Sequence, residues 1–240
     1  MPSPSTTTVT AQAPPTRSRR CLVILLWLAG AAPLQAQDMS TIALLLPRSG
    51  CALSAQETVR IRVVNLGSTL PGASIFSYAY TINGGVPVSE TVFMGNPVPP
   101  NGLLTYSFIT PADLSQPGTY QIDATITVSA DANPANNALG AQPIQNWAPS
   151  LGGSLPAWPG TASAGLLSLA GQRGEVLEWQ QSTDAERWSA LSNTSTQQGF
   201  ANLTQATHFR ALVQNGPCAP ALSSDTRVAP DPLFANGFES

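Results

Sequence analysis

From Glu57 onward apolar and polar residues alternate. Val59, Ile61 and Val63 fall on one side and Thr58, Arg60 and Arg62 on the other, up to a break at Asn65-Leu-Gly67. Successive side chains of a strand point to opposite faces, so a period of two predicts a half-buried strand. A second run, Ile75 to Ile82, ends at Asn83-Gly-Gly85, whose Asn-Gly pair tolerates the positive φ of a tight hairpin. Val86 to Phe93 is the returning strand, and Leu104, Tyr106 and Phe108 alternate on the next after the loop Asn96 to Gly102. The clearest strand runs from Thr119 to Ser129, with Tyr120, Ile122, Ala124, Ile126 and Val128 inward and Gln121, Asp123, Thr125 and Thr127 outward. Tyr120 follows the turn Asp113 to Gly118, where an immunoglobulin-type sandwich often carries a corner tyrosine. Asp131 to Asn137 turns the chain again, and Ala138 to Ile144 closes the sheet. Six or seven short strands with turns every eight to twelve residues indicate an antiparallel sandwich over residues 38–145.

Trp147 to Gly160 holds Pro149, Gly152-Gly153, Pro156 and Pro159 and reads as a linker over 146–160. Beyond it Leu167 to Leu169, Gly174 to Gln181, Ala201 to Leu203, Thr207 to Val213 and Thr226 to Val228 carry strand periodicity, which predicts a second sandwich over 161–229. Trp179 and Trp188 are expected in its core.

The start of the chain has a different pattern. Arg17, Arg19 and Arg20 precede a twelve-residue apolar run, Cys21 to Ala32, followed by Pro33 and Leu34-Gln-Ala36. A basic stretch, a short apolar run and a small-residue site describe a signal peptide over 1–36. Twelve apolar residues are too few for a bilayer, which takes about 20. No later run approaches that length, so no membrane span is expected in the mature chain. The expected location is outside the cell or in the outer envelope.

Composition agrees. Charged residues are 10% of the chain against a usual level of about 25%, there is no Lys, and Pro and Gly are plentiful. Removing Arg17, Arg19 and Arg20 takes the formal charge from −3 to −6. That balance, with no basic cluster, speaks against nucleic acid and against anionic membrane surfaces as partners.

Four motifs stand in order in the first half: Pro47 to Leu53, Glu57 to Gly67, Asp113 to Tyr120, and Asp131 to Asn137. Together they resemble the cell-adhesion-related domain of bacteria (CARDB), an Ig-like module of secreted and surface proteins. The resemblance implies a binding or spacer module with no catalytic residues to carry over. In the second half Gly174 to Asp184, Trp188, Leu203-Thr204 and Thr207 to Cys218 resemble an Ig-like repeat of large bacterial secreted and surface proteins. That resemblance makes Trp179 the core tryptophan and Arg210 a partly exposed strand arginine. The repeat often carries a Cys-x-Gly before its first core strand. Here Trp158-Pro-Gly160 stands there, so the usual partner of Cys218 is missing. The last residues, 230–240, resemble a short tail of secreted Gram-negative proteins.

Few residues are candidates for chemistry. Once Cys21 is removed, Cys51 and Cys218 remain. In an oxidising compartment two cysteines suggest one disulfide, but these lie in different predicted domains, and bonding needs Cα atoms about 5.5 Å apart. The pair stays a disulfide candidate, with two separate buried thiols favoured. The single histidine, His208, cannot make a zinc site and has no nucleophile elbow to serve. Glu175 and Glu178, three apart on a strand, are expected on opposite faces and therefore not as a glycosidase pair. Asp184 and Glu186 lie in a turn. Asp131, Asn133 and Asn136 offer oxygens to calcium, but at no EF-hand spacing, and Asp and Asn are also ordinary turn formers. Trp147 and Trp158 flank the linker and are the exposed-aromatic candidates, either stacking on sugar or packing between domains, with packing favoured. The expectation is a non-enzymatic adhesion, spacer or display module of two tandem Ig-like sandwiches. It carries no cofactor, and its surface-protein or polysaccharide partner is unspecified. The alternative is a carbohydrate-binding accessory module of a polymer-degrading system.

Overall fold

A computed structural model describes residues 36–231. Most of the expected signal peptide and of the C-terminal tail lies outside them. The described chain is all-β, as the alternation requires, and has two separate hydrophobic cores.

The first core lies between two sheets. One holds β1 (Met39–Leu46), β3 (Arg60–Asn65) and β6 (Leu103–Ser107) in the order β1-β3-β6. The other runs β2-β8-β7-β4-β5, from β2 (Gly50–Cys51), β8 (Gln142–Trp147), β7 (Gly118–Val128), β4 (Ile75–Ile82) and β5 (Val88–Phe93). Every pairing is antiparallel except the short β2–β8 ladder. The inward set of the sequence pattern is the core: Val59, Ile61, Val63, Ile122, Ala124, Ile126 and Val128 are buried, with Phe76, Tyr78 and Tyr80 from the facing sheet. Tyr120 donates its hydroxyl to the carbonyl of Gln116 at 2.7 Å, the corner-tyrosine contact. Asn83 and Gly84 both have positive φ (53° and 67°), and Gly85 N–H bonds the Ile82 carbonyl at 2.9 Å, which makes the type I′ turn expected of Asn-Gly.

Strand β1 was not apparent in the pattern. Ile42 to Leu46 is continuously apolar, and the ladder to β3 shifts register twice, between Thr41 and Ala43 and between Leu44 and Leu46. Each shift resets the face that side chains point to, so no period of two survives.

The second core has a sheet in the order β11-β10-β13-β14, with β15 also on β13. Its strands are β10 (Glu175–Ser182), β11 (Ser189–Leu191), β13 (Thr207–Gln214), β14 (Ala221–Leu222) and β15 (Thr226–Val228). A two-stranded ladder of β9 (Gly165–Ser168) and β12 (Gln197–Phe200) makes the other layer. Trp179 is wholly buried at the centre and donates its ring N–H to the Ser195 carbonyl at 2.9 Å. Phe209, Ala211 and Val213 alternate into the same core. The Pro/Gly segment before it does more than connect. Leu151 pairs with Arg173 and Ser154 with Ala170, and Leu155 is buried in the second core.

Candidate functional site: the interdomain joint

The residues singled out for chemistry gather most closely where the two sandwiches meet. Gly50-Cys51 runs alongside Asn146-Trp147 as a parallel pair. The local sequence fixes this. Asn146 is buried, and its amide donates to the carbonyls of Leu114 (2.7 Å) and Gln116 (3.2 Å) while its oxygen accepts from Leu53 N–H (2.9 Å). A buried amide is stable only when its groups are paired, so this one residue ties two loops to β8. Ala52 N–H bonds the Trp147 carbonyl at 2.8 Å and Gln145 N–H bonds the Ser49 hydroxyl at 2.9 Å, which sets Cys51 between them.

Cys51 and Cys218 form a disulfide, with Cα atoms 5.1 Å apart across a sequence separation of 167. This replaces the two separate thiols that placement in different domains favours. The reason is proximity. The β13–β14 turn of the second sandwich lies against the end of β8, with Cys218 Sγ 3.2 Å from the Ala148 carbonyl oxygen. Asn215 donates its amide to that carbonyl (2.8 Å) and its N–H to the Ser150 hydroxyl (2.9 Å). Gly216 sits on the indole of Trp147. Its φ is +53°, and a Cβ there would stand 2.6 Å from the ring, so both backbone conformation and space require glycine. Trp147 thus packs between the sandwiches and is half-buried. One side of it borders an open groove of about 370 Å³ lined by Gly174, Glu175, Leu177 and Gln214.

The other candidates are spread apart. Trp158 packs into the second sandwich, edge-on to Phe200 with ring centroids 5.0 Å apart, and is half-buried. Trp188 is not a core residue: it is half-buried on the outer face of the sheet, beneath the Arg210 guanidinium 3.8 Å from its ring centre. Arg210, partly exposed as the repeat resemblance implies, also donates to the Gln180 side chain at 2.7 Å. His208 Nδ1 lies 2.8 Å from an Asp225 carboxylate oxygen. Glu175 and Glu178 are not split across the faces as a regular strand would split them. The β10–β13 register shifts between Val176 and Glu178, so Val176 and Trp179 are both buried and both glutamates stay out of the core. Glu178 accepts from Gln180 at 2.7 Å. Asp184 is held below the usual carboxylate range by Arg187 N–H first, then Glu186 N–H and the Ser182 hydroxyl.

At the calcium candidates, Asp131 accepts Met39 N–H on one oxygen (3.1 Å) and Asn133 N–H on the other (2.9 Å). Asn136 donates its amide to Asp38 at 2.9 Å. Hydrogen-bond donors therefore face the carboxylates, the ordinary work of a turn. Gln37 Oε1, Thr41 Oγ1, Asn136 Oδ1 and Asn137 Oδ1 are buried and accept no hydrogen bond from the described residues. Among the described residues no group of three or more His, Cys, Asp or Glu stands together to hold a metal. No helix there is long and apolar enough to cross a membrane.

Residues 158–231 match a family model described as a domain of unknown function, DUF8696. No curated protein matches the chain. Among solved structures the chain is similar to the CARDB domain of a Pyrococcus furiosus protein, at 22% identity and a TM-score of 0.30, covering 47% of this chain and 96% of that one. It is similar to the tandem domains A168–A170 of titin, at 11% identity and a TM-score of 0.41, covering 81% of this chain and 66% of that one. It is also similar to a tetra-tandem repeat from the extending region of a large adhesion protein, at 14% identity and a TM-score of 0.36, covering 82% of this chain and 50% of that one.

Proposed function

We propose that the mature chain is an exported, non-enzymatic module of a bacterial envelope, in which two Ig-like sandwiches, residues 38–145 and 161–229, adhere to, space or display a partner. The observation that carries this reading is the covalent joint. Hydrogen bonds, an interlocked Trp147–Gly216 contact and the Cys51–Cys218 bond hold one sandwich against the other, which suits a stiff spacer. The same bond supports export, because disulfides persist in oxidising compartments and are rare in the cytosol. The Arg17-to-Ala36 segment points the same way.

Use of both linker tryptophans in packing weighs against the carbohydrate-binding alternative, since a ring engaged by protein offers less face to a sugar. Two measurements test the proposal. Fractionation and external protease treatment of cells making the full chain should place it outside the inner membrane; cytosolic recovery overturns export. Insoluble polysaccharides should not retain the mature chain. Retention that disappears in Trp147→Ala or Trp158→Ala makes it a carbohydrate-binding module instead.

A further inference from the structure

We infer that the Cys51–Cys218 bond is a mechanical bypass, which carries tension applied between the ends of the chain around both hydrophobic cores. Cys51 stands near the beginning of the first sandwich, after β1 and before every other strand that pairs across its core. Cys218 stands near the end of the second, with only β14 and β15 beyond it. The covalent path from residue 36 to residue 231 therefore runs through 36–51, crosses the bond, and leaves through 218–231. Strands β3 to β13, and the Pro/Gly segment between the sandwiches, all lie inside the loop that the bond closes.

The ends of that loop are fixed 5.1 Å apart at Cα. Whatever the load, residues 52–217 cannot be drawn out between them, so once the outer strands have peeled away the β3–β6, β4–β7 and β10–β13 ladders bear no tension. Strands β1, β2, β14 and β15 are the described strands that tension reaches, β2 at the bond itself. Strands β1, β14 and β15 are held to the shielded part by non-covalent contacts: their ladders to β3 and β13, and hydrogen bonds such as Met39 N–H to Asp131, Ser40 to the Asn136 carbonyl and Thr226 to the Pro156 carbonyl. The sandwiches cannot be pulled apart at the joint either, since the bond joins them there directly. A disulfide confined to one sandwich would shield only that sandwich. The bypass rests on the position of the bond in the chain, and holds whatever partner the module binds.

Single-molecule pulling of the exported chain, with handles at its two ends, tests this. Without reductant, the length released on unfolding should be confined to the segments outside Cys51–Cys218. With a small thiol reductant present, the same chain should release a further length of roughly 550–600 Å, the reach of the 167-residue separation when fully extended. A Cys51→Ser/Cys218→Ser chain should show the long release in either buffer. Should that variant not fold, reducing the native chain under load supplies the same comparison. A bond that only stabilises would raise the unfolding force and leave the released length unchanged. Release of the long segment without reductant, or equal lengths in both buffers, overturns the bypass and leaves the adhesive reading to its own tests.

Discussion

The phenol of Tyr106, on one sheet of the first sandwich, donates a hydrogen bond to the carboxylate of Glu90, on the edge strand of the other. Ile109 N–H (3.0 Å) and Thr110 N–H (2.8 Å) bond the same carboxylate, and Tyr106 stacks on Tyr78, directly across the ladder from Glu90. A charge turned inward on β5 also discourages that free edge from pairing with another chain.

This arrangement has two pH signatures. Burial pushes the Glu90 carboxyl up, but hydrogen bonds from Tyr106, Thr110 and Ile109 outweigh it and hold it below its ordinary value. A lowered folded value means the stabilisation is complete above the ordinary carboxylate range and is lost as pH falls through the folded value. Tyr106, by burial first and Glu90 second, is pushed up to about 12. Its contribution is complete below pH 10 and is lost as pH rises toward 12. Glu90→Gln should destabilise the first sandwich by about 1–2 kcal/mol near neutral pH and flatten the acid side of its stability profile. Urea titrations at several pH values check this; an unchanged acid limb contradicts it.

Reducing the Cys51–Cys218 bond frees a 167-residue loop. The chain-entropy view puts the loss at the top of the usual range, about 5 kcal/mol. At roughly 2–4 °C per kcal/mol for a chain of this size, thermal unfolding should begin about 10–20 °C lower with reductant. Calorimetry with and without reductant measures it.

Gly216→Ala adds a Cβ against Trp147 at a residue with φ +53°. The expected loss is about 1–2 kcal/mol. In a double-mutant cycle Trp147→Ala should recover the steric part of it but not the backbone part. Full additivity of the two changes would mean that the residues do not touch.

Two tryptophans of the second sandwich should respond differently. Trp179→Ala empties a wholly buried site and should cost about 3–5 kcal/mol. Trp188→Ala removes a surface ring beneath Arg210 and should cost about 0.5–1 kcal/mol. Denaturant midpoints of the two variants decide it; equal losses would place Trp188 in the core.

Alternation along the chain was enough for the β class, most strand positions and much of both cores, because it is local: a regular strand sends every second side chain to the same face. Where regularity failed, so did legibility. The bulges of β1 hid a whole strand, and the bulge after Val176 put Glu175 and Glu178 outside the core together. Trp179 and Trp188 are equally apolar in the sequence. Only the sheet decided that one fills the core while the other lies under Arg210 on the surface. The joint was the least legible part. Pairing of Cys51 with Cys218 depends on how the two sandwiches meet, and nothing in the period of either one encodes that. It took the buried Asn146, the seat of Trp147 against Gly216 and the Asn215 bonds to bring residues 167 positions apart within reach of a covalent bond.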